Sequence, residues 1–171
     1  MQEKLRQCII VDVETTGLAP HRGDRVIEVG ALRFADNDVA GEFHSLVRIR
    51  KQIPIAAQLV HGISSEMLKG QPEADEVFPA LKKFIGKSTL VAHNAQFDVN
   101  FLRYEFSYLG LNLDNPYECT LELSRIHFPQ LRNHKLETVY RHVSGKQPDG
   151  QSHRALADAR MVAEIWKRLR V

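Results

Sequence analysis

The hydrophobic positions in the first third of the chain predict three consecutive strands. Residues 8–11 form a nearly unbroken apolar run, which is typical of a strand buried on both faces. Residues 26–34 have strand-like patterning, a cluster of turn-forming residues follows at 35–38, and residues 43–49 are predicted to form a returning strand. Because the connections are short, we expect an antiparallel meander.

The rest of the chain is predicted to alternate helices with short strands. Residues 72–85 are a clear helix, with Pro72 in the first turn and Gly86 after the last. This order predicts an α/β fold with a central mixed five-stranded sheet flanked by helices, in one domain over residues 1–171. The other elements that we predict are strands at 89–92 and 117–120, helices at 54–62, 64–68, 97–109, 121–128, 136–143 and 154–169, and a polar loop at 144–152.

Two carboxylates follow the first apolar run at alternate positions. Side chains repeat with period two along a strand, so Asp12 and Glu14 would project from one face. Two ionised carboxylates placed together raise each other's pKa, and a cation between them removes that penalty. Oxygen ligands without a nearby Cys or His favour a hard ion such as Mg²⁺ or Mn²⁺. The alternative is that both acids lie beyond the strand end as solvated turn residues.

Composition limits the class of protein. A chain of 171 residues suits one domain with a full core, and 43% hydrophobic and 26% charged residues are ordinary for a globular protein. The longest apolar runs have four or five residues, so we expect no membrane span, and residues 1–7 do not resemble a secretory signal. Cys8 and Cys119 offer no disulfide framework. We therefore expect a cytoplasmic protein.

The net charge of +2 does not decide whether the chain binds nucleic acid. Its distribution is uneven, since residues 121–171 hold ten Lys or Arg against five Asp or Glu. This basic part could face phosphates, although a solvated helix face would give the same count.

Asp98 lies where the strand at 89–92 gives way to a helix. With a helix beginning near Phe97, Asp98 shares a face with Phe101 and Leu102, and Glu105 interrupts that face. A carboxylate at the beginning of an inward face is a candidate ligand. An acid that simply interacts with the dipole at the helix N-terminus is the alternative.

Asp158 projects into the middle of the apolar stripe of the last helix. A buried carboxylate needs a partner, and a metal ion or an ion pair with Arg154 would each supply one. His153, at the end of the preceding loop, is five residues away and could take a proton from a water near that metal, because histidine exchanges protons readily near neutral pH. The stripe consists of Val162, Ile165, Trp166 and Leu169.

Taken together, these segments resemble the DEDDh family of 3′–5′ exonucleases, and most closely its members related to the proofreading epsilon subunit of bacterial DNA polymerase III. The resemblance extends over residues 8–165 and is specific because the motifs occur in register. They are VDVETTGL at 11–18, HGIS at 61–64, HNAQFD at 93–98 and HRALADA at 153–159.

The resemblance implies a ribonuclease H-like fold and two divalent ions, Mg²⁺ or Mn²⁺. Asp12 would bridge the ions, and Glu14 and Asp158 would complete the site that activates water. Asp98 would serve the second ion, and His153 would deprotonate the nucleophile. Two ions about 3.5–4 Å apart can stabilise both the attacking and the leaving oxygen of an in-line displacement.

The resemblance also implies contacts with the substrate. Main-chain groups at Thr15 to Gly17 would approach the terminal nucleotide, and apolar side chains would pack on terminal bases. Ordinary packing or turn formation is the alternative for each residue. The candidates are Thr15, Thr16, Gly17, Leu18, His61, Ile63, Asn94 and Phe97.

The function that follows is a metal-dependent 3′–5′ exonuclease that acts on single-stranded or frayed 3′ ends of DNA and releases nucleoside 5′-monophosphates, in proofreading or repair. One alternative is an RNA-trimming exoribonuclease of the same family. The other is a non-catalytic module that binds nucleic acid or docks on a DNA polymerase. With no polymerase domain in the sequence, we expect a free-standing enzyme or a small separate subunit.

Overall fold

The computed structural model describes residues 7–148 and 153–170. Five strands form one sheet in the order β3-β2-β1-β4-β5. β1 pairs antiparallel with β2, and β2 pairs antiparallel with β3, whereas β1–β4 and β4–β5 are parallel. The predicted mixed five-stranded sheet is confirmed. The strands are β1 (Gln7–Thr15), β2 (Val26–Ala35), β3 (Asp38–Leu46), β4 (Thr89–Ala92) and β5 (Tyr117–Cys119).

Six α-helices accompany the sheet in the described part of the chain, and a short 3₁₀ helix at Pro20–Arg22 follows β1. Among them, no helix is long and apolar enough to cross a membrane. They are α1 (Ile55–His61), α2 (Ala74–Ile85), α3 (Ala95–Tyr108), α4 (Thr120–His127), α5 (Leu136–Ser144) and α6 (Ala155–Leu169).

Two of the sequence predictions differ clearly from the structure. β3 begins at Asp38 rather than at residue 43, because Asp36 and Asn37 adopt positive φ angles of 49° and 70° and close a tight hairpin. Residues 64–68 form turns instead of a helix, with hydrogen bonds such as Met67 N to Ser64 O that span three residues. The predicted loop at 144–152 lies partly outside the described residues.

The alternation along β1 divides its side chains between two cores. Ile9, Val11 and Val13 join a cluster that contains Phe78 of α2 and Phe101 of α3. Cys8 and Ile10 join a second cluster with residues of β2 and with Val162 and Trp166 of α6. With a period of two, Asp12 and Glu14 follow Cys8 and Ile10 and face α6.

The N-terminus of α6 lies very close to β2. Gly30, the Cα partner of Asp12, has no room for a side chain, since a Cβ there would lie 2.5 Å from the Ala155 carbonyl carbon and from the Leu156 nitrogen. Glycine therefore allows the first turn of α6 to rest on the sheet beside Asp12.

We predict that Gly30→Ala lowers the free energy of unfolding by about 1–3 kcal/mol, because an added methyl group meets backbone that cannot rotate away. Gly41→Ala is the matched control on β3. The nearest atoms to a Cβ at Gly41 would be 3.9 Å and 4.0 Å away, and we expect a change below about 1 kcal/mol. Urea unfolding of both variants measures the difference, and equal effects would contradict the close approach.

Candidate active site

Asp12 and Glu14 lie within β1, which continues to Thr15. The alternative that placed them in a solvated turn is therefore wrong. Both side chains are half-buried, and no hydrogen-bond donor in residues 7–148 or 153–170 contacts either carboxylate. Two neighbouring acids thus lack a protein partner on the face that looks toward α6.

Asp158 completes a three-carboxylate cluster. It lies in the first turn of α6, is 7% exposed, and faces the two acids of β1. One carboxylate oxygen from each of Asp12, Glu14 and Asp158 lies within 4.8 Å of the other two. The pair that we considered between Asp158 and Arg154 does not form, since the Arg154 guanidinium binds Glu28.

Asp98 lies beside the three-carboxylate cluster and is not one of its members. It is 3% exposed in the first turn of α3, and its Oδ1 accepts a hydrogen bond of 3.1 Å from the backbone N–H of Val13, between the two acids of β1. Repulsion from Asp98 contributes to the raised pKa of Asp12. Asp98 is thus buried against the strand, in addition to its place at a helix N-terminus.

The pKa values of these four acids are all raised, and burial is the largest cause for each. Burial and repulsion from the other three acids hold the pKa of Asp12 well above its usual value. The pKa values of Glu14 and Asp98 are raised to about 8, and that of Asp158 to about 6. The site therefore lacks positive charge and would be stabilised by a cation.

This donor set fits a divalent metal ion. Asp12, Glu14 and Asp158 supply carboxylate oxygens at one place, and no Cys or His belongs to the cluster that they form among the described residues. Oxygen-only donors favour hard cations. The prediction of a divalent-metal site, without the choice between Mg²⁺ and Mn²⁺ or the number of ions, agrees with the structure.

His153 lies at the edge of the cluster. It is exposed, has a φ of 65°, and its backbone N–H is 3.3 Å from both carboxylate oxygens of Asp158. The charge of its imidazole also acts to lower the pKa of Asp158, against the larger effect of burial. The side chain is thus open to solvent beside the acids.

The candidate substrate residues around Thr15 occupy different environments. Thr15 and Thr16 are buried, whereas Leu18 is 84% exposed. Gly17 leaves room for the carboxylate of Asp24, which accepts hydrogen bonds from Ala19 N and Thr16 Oγ1. The glycine therefore shapes the loop after β1, while Leu18 presents an apolar surface.

The remaining candidate substrate residues also include both buried and exposed side chains. His61 is buried, its Nδ1 accepts a hydrogen bond from Ile63 N, and its Nε2 has no partner within the described residues. Ile63 is fully buried in an apolar cluster with Ile27, so it packs in the core. Asn94 is exposed at the N-terminus of α3, and Phe97 is half-buried against Phe101.

Sequence reasoning did not identify Glu28 as part of this region. Glu28 is fully buried on β2 directly opposite Glu14, and it contributes to the raised pKa values of Asp12, Glu14 and Asp158. The available signal was a single charged residue inside the apolar run 26–32.

We predict that Glu14→Gln stabilises the metal-free protein at alkaline pH. Because the pKa of Glu14 rises from 4.5 to about 8 on folding, its contribution to stability is present below pH 4.5 and is lost as the pH rises to about 8. One pKa unit corresponds to about 1.4 kcal/mol, and coupling and partial exposure reduce the total. In EDTA at pH 8 we expect a gain of about 1–3 kcal/mol, and almost none near pH 4.5.

Thermal or urea unfolding in EDTA across this range gives the measurement. Glu122→Gln is the control, since Glu122 is exposed on α4. If Glu14→Gln were no more stable than the parent protein at pH 8, the conclusion that uncompensated negative charge destabilises the metal-free site would be wrong.

Comparison with known proteins assigns the chain to a family. The family model RNase_T, described as an exonuclease, matches residues 9–166. The DNA polymerase III subunit epsilon of Rickettsia typhi is 38% identical over 165 residues, which cover 92% of this chain and 71% of that protein. The PolC-type DNA polymerase III of Clostridium perfringens is 37% identical over 159 residues, and the chain spans only 11% of its length.

Solved structures have the same fold. Exonuclease X in complex with 5′-overhanging duplex DNA has a TM-score of 0.76 and 25% identity, covering 95% of this chain and 90% of that one. E. coli Exonuclease I in complex with a dT13 oligonucleotide has a TM-score of 0.82 at 18% identity, covering 95% of this chain and 40% of that one, and it shows the fold alone. The chain belongs to the RNase_T exonuclease family, and the prediction of an enzyme of the 3′–5′ exonuclease class is confirmed.

Proposed function

We propose that the chain, as a single exonuclease domain over residues 1–171, removes nucleotides from single-stranded or frayed 3′ ends of DNA and releases nucleoside 5′-monophosphates. The observation that carries this proposal is the convergence of Asp12, Glu14 and Asp158 within 4.8 Å, with His153 bound to Asp158. Hydrolysis of a phosphodiester needs cations that compensate the negative charge of the phosphate and a base that deprotonates the attacking water. The acids of this site could hold such cations, and His153 could act as the base.

The proposed cofactor is a pair of Mg²⁺ or Mn²⁺ ions held by the four acids Asp12, Glu14, Asp98 and Asp158. When bound, divalent ions stabilise the charge that develops on the phosphate and lower the pKa of water. The raised pKa values of the four acids support this assignment, because a cation relieves the repulsion among them.

In the proposed reaction His153 is the general base. Its exposed imidazole accepts a proton from the attacking water and passes it to solvent. Its backbone N–H lies 3.3 Å from both carboxylate oxygens of Asp158, which keeps this residue next to one acid of the cluster. Asp98, bound to Val13 N, keeps the second side of the cluster in place.

The proposed substrate contacts use the open groups around the site. Leu18, 84% exposed, packs on a terminal base without regard to sequence. The exposed Asn94 approaches the backbone of the strand, whereas His61 is buried and acts from within the protein. Thr15, Thr16 and Phe97 support these groups from within the protein.

DNA is the proposed substrate because a relative that this chain covers to 71% is a subunit of DNA polymerase III, and Exonuclease X is known in complex with duplex DNA. A role in proofreading beside a DNA polymerase follows from the same relatives. The most direct test compares matched DNA and RNA oligomers, single- and double-stranded, with Mg²⁺ or Mn²⁺. Faster release of nucleotides from RNA than from DNA would show that RNA, and not DNA, is the preferred substrate.

We predict that Asp12→Asn and Asp158→Asn each lower the release of mononucleotides from a 3′-labelled DNA oligomer by about 100-fold or more, because each removes a ligand charge from the cluster. Asp114→Asn changes an exposed acid outside the site and should leave the rate within about twofold. Unchanged rates in the first two variants would reject the proposed site.

We predict a different result for His153→Gln. Its turnover should fall by about 10²–10⁴-fold, the usual contribution of a general base, while Mn²⁺ affinity measured by calorimetry stays within about threefold. A large loss of Mn²⁺ affinity with unchanged turnover at saturating metal would make His153 a ligand and not a base.

A further inference from the structure

A fifth carboxylate lies beside the cluster but differs from it in its partners. Glu28 is fully buried on β2, and its Cα partner on β1 is Glu14. An unpaired carboxylate at this position would add to the repulsion within the site. Its environment must therefore supply positive charge and donors.

The contacts of Glu28 provide both. The Arg154 guanidinium donates from Nη2 to Oε1 at 2.8 Å and from Nε to both oxygens at 3.1 Å. The backbone N–H of Ala155 donates to Oε2 at 3.1 Å, and His44 Nε2 lies 2.7 Å from Oε1. Both oxygens of Glu28 are occupied by protein groups, so this acid is not free to bind a cation.

The electrostatics agree with the geometry. Burial alone would raise the pKa of Glu28, but hydrogen bonds from Arg154, His44 and Ala155 outweigh it, and the pKa lies below its usual value. Glu14, directly across the strand pair, has a pKa raised to about 8. Of these two glutamates on paired positions, only Glu28 is hydrogen-bonded directly by a guanidinium.

The groups that Glu28 binds immediately follow His153. Arg154 precedes the first turn of α6 and Ala155 begins it. The same turn carries Asp158, whose oxygens accept the His153 N–H. Because Gly30 lets this turn rest on β2, a single buried side chain connects the sheet to the segment that carries the base and an acid of the cluster.

We propose that Glu28 is a positioning residue: by holding Arg154 and the Ala155 amide, it fixes His153 and Asp158 in place for the reaction. The inference rests on the proposed function for its effect on catalysis. Glu28 itself touches neither the substrate nor the ions. Its contribution passes through the beginning of α6.

Kinetics of the full chain test the catalytic part. Glu28→Gln, and Arg154→Gln at a partly exposed position, should each lower kcat for a 3′-labelled DNA oligomer by about 10–100-fold, with KM within about threefold. In a His153→Ala background, Glu28→Gln should lower kcat by a clearly smaller factor than in the parent chain, because the part of its effect that is transmitted through His153 is already lost. Equal losses in both backgrounds would overturn the proposal.

Glu105→Gln is the matched control for the loss of a buried ion pair. Glu105 is 2% exposed and accepts hydrogen bonds from Arg25 Nε and Nη2 and from the Val26 amide, so its bonding pattern resembles that of Glu28. It should lower the unfolding temperature much as Glu28→Gln does and leave kcat within about threefold. If Glu105→Gln lowered kcat as much as Glu28→Gln does, Glu28 would contribute to general stability and would not be a positioning residue.

Amide hydrogen exchange tests the anchoring without relying on activity. By NMR, Glu28→Gln should speed exchange at Ala155 and Asp158 by about tenfold or more and leave Trp166, near the end of α6, unchanged. Unchanged exchange at Ala155 would overturn the proposal. If the parent protein released no nucleotide from any oligomer, the proposed function would fail, while the exchange result would still decide whether Glu28 anchors the turn.

Discussion

The structure is constrained most of all by several carboxylates that lie close together and are partly or fully buried. Asp12, Glu14, Asp98 and Asp158 approach one another from one strand and two helices, and burial and repulsion raise the pKa of each. Such an arrangement opposes folding in the absence of a cation. The two apolar cores that hold β1 from both faces must therefore supply the stability that the cluster removes. A cation placed among these acids would relieve that repulsion.

Two simple features of the chain determine where those charges meet. The period of β1 directs Val11 and Val13 to one core and Asp12 and Glu14 toward α6. Gly30 on β2 then allows the first turn of α6 to approach the sheet, which places Asp158 against the same face. A side chain at Gly30 would push α6 away from the sheet and increase the distance between Asp158 and the two acids of β1. The geometry of the site is thus a consequence of packing at a residue that performs no chemistry.

Most of the fold and the acids of the site could be predicted from local sequence patterns. Alternation within a strand and the stripe of α6 are properties of a few consecutive residues, and these patterns singled out Asp12, Glu14 and Asp158. Local patterns did not exclude Arg154 as the partner of Asp158, because Glu28, which binds Arg154, is 126 positions away and meets it only in the folded chain. The beginning of β3 was missed for a related reason, since the positive φ angles at Asp36 and Asn37 follow from the hairpin and not from the apolar pattern.

The comparison of Glu14 with Glu28 shows how one strand pair can hold the same type of side chain in two different environments. The two residues are Cα partners, and burial acts to raise the pKa of each, but only in Glu28 do hydrogen bonds hold the pKa below its usual value. Arg154 interacts with both, but it binds Glu28 through three short hydrogen bonds and affects Glu14 only at a distance. The guanidinium therefore neutralises the acid that supports the turn and leaves uncompensated the acid that faces the cluster. Selective pairing of this kind keeps a cation-binding site available while the helix that completes it is held by an internal ion pair.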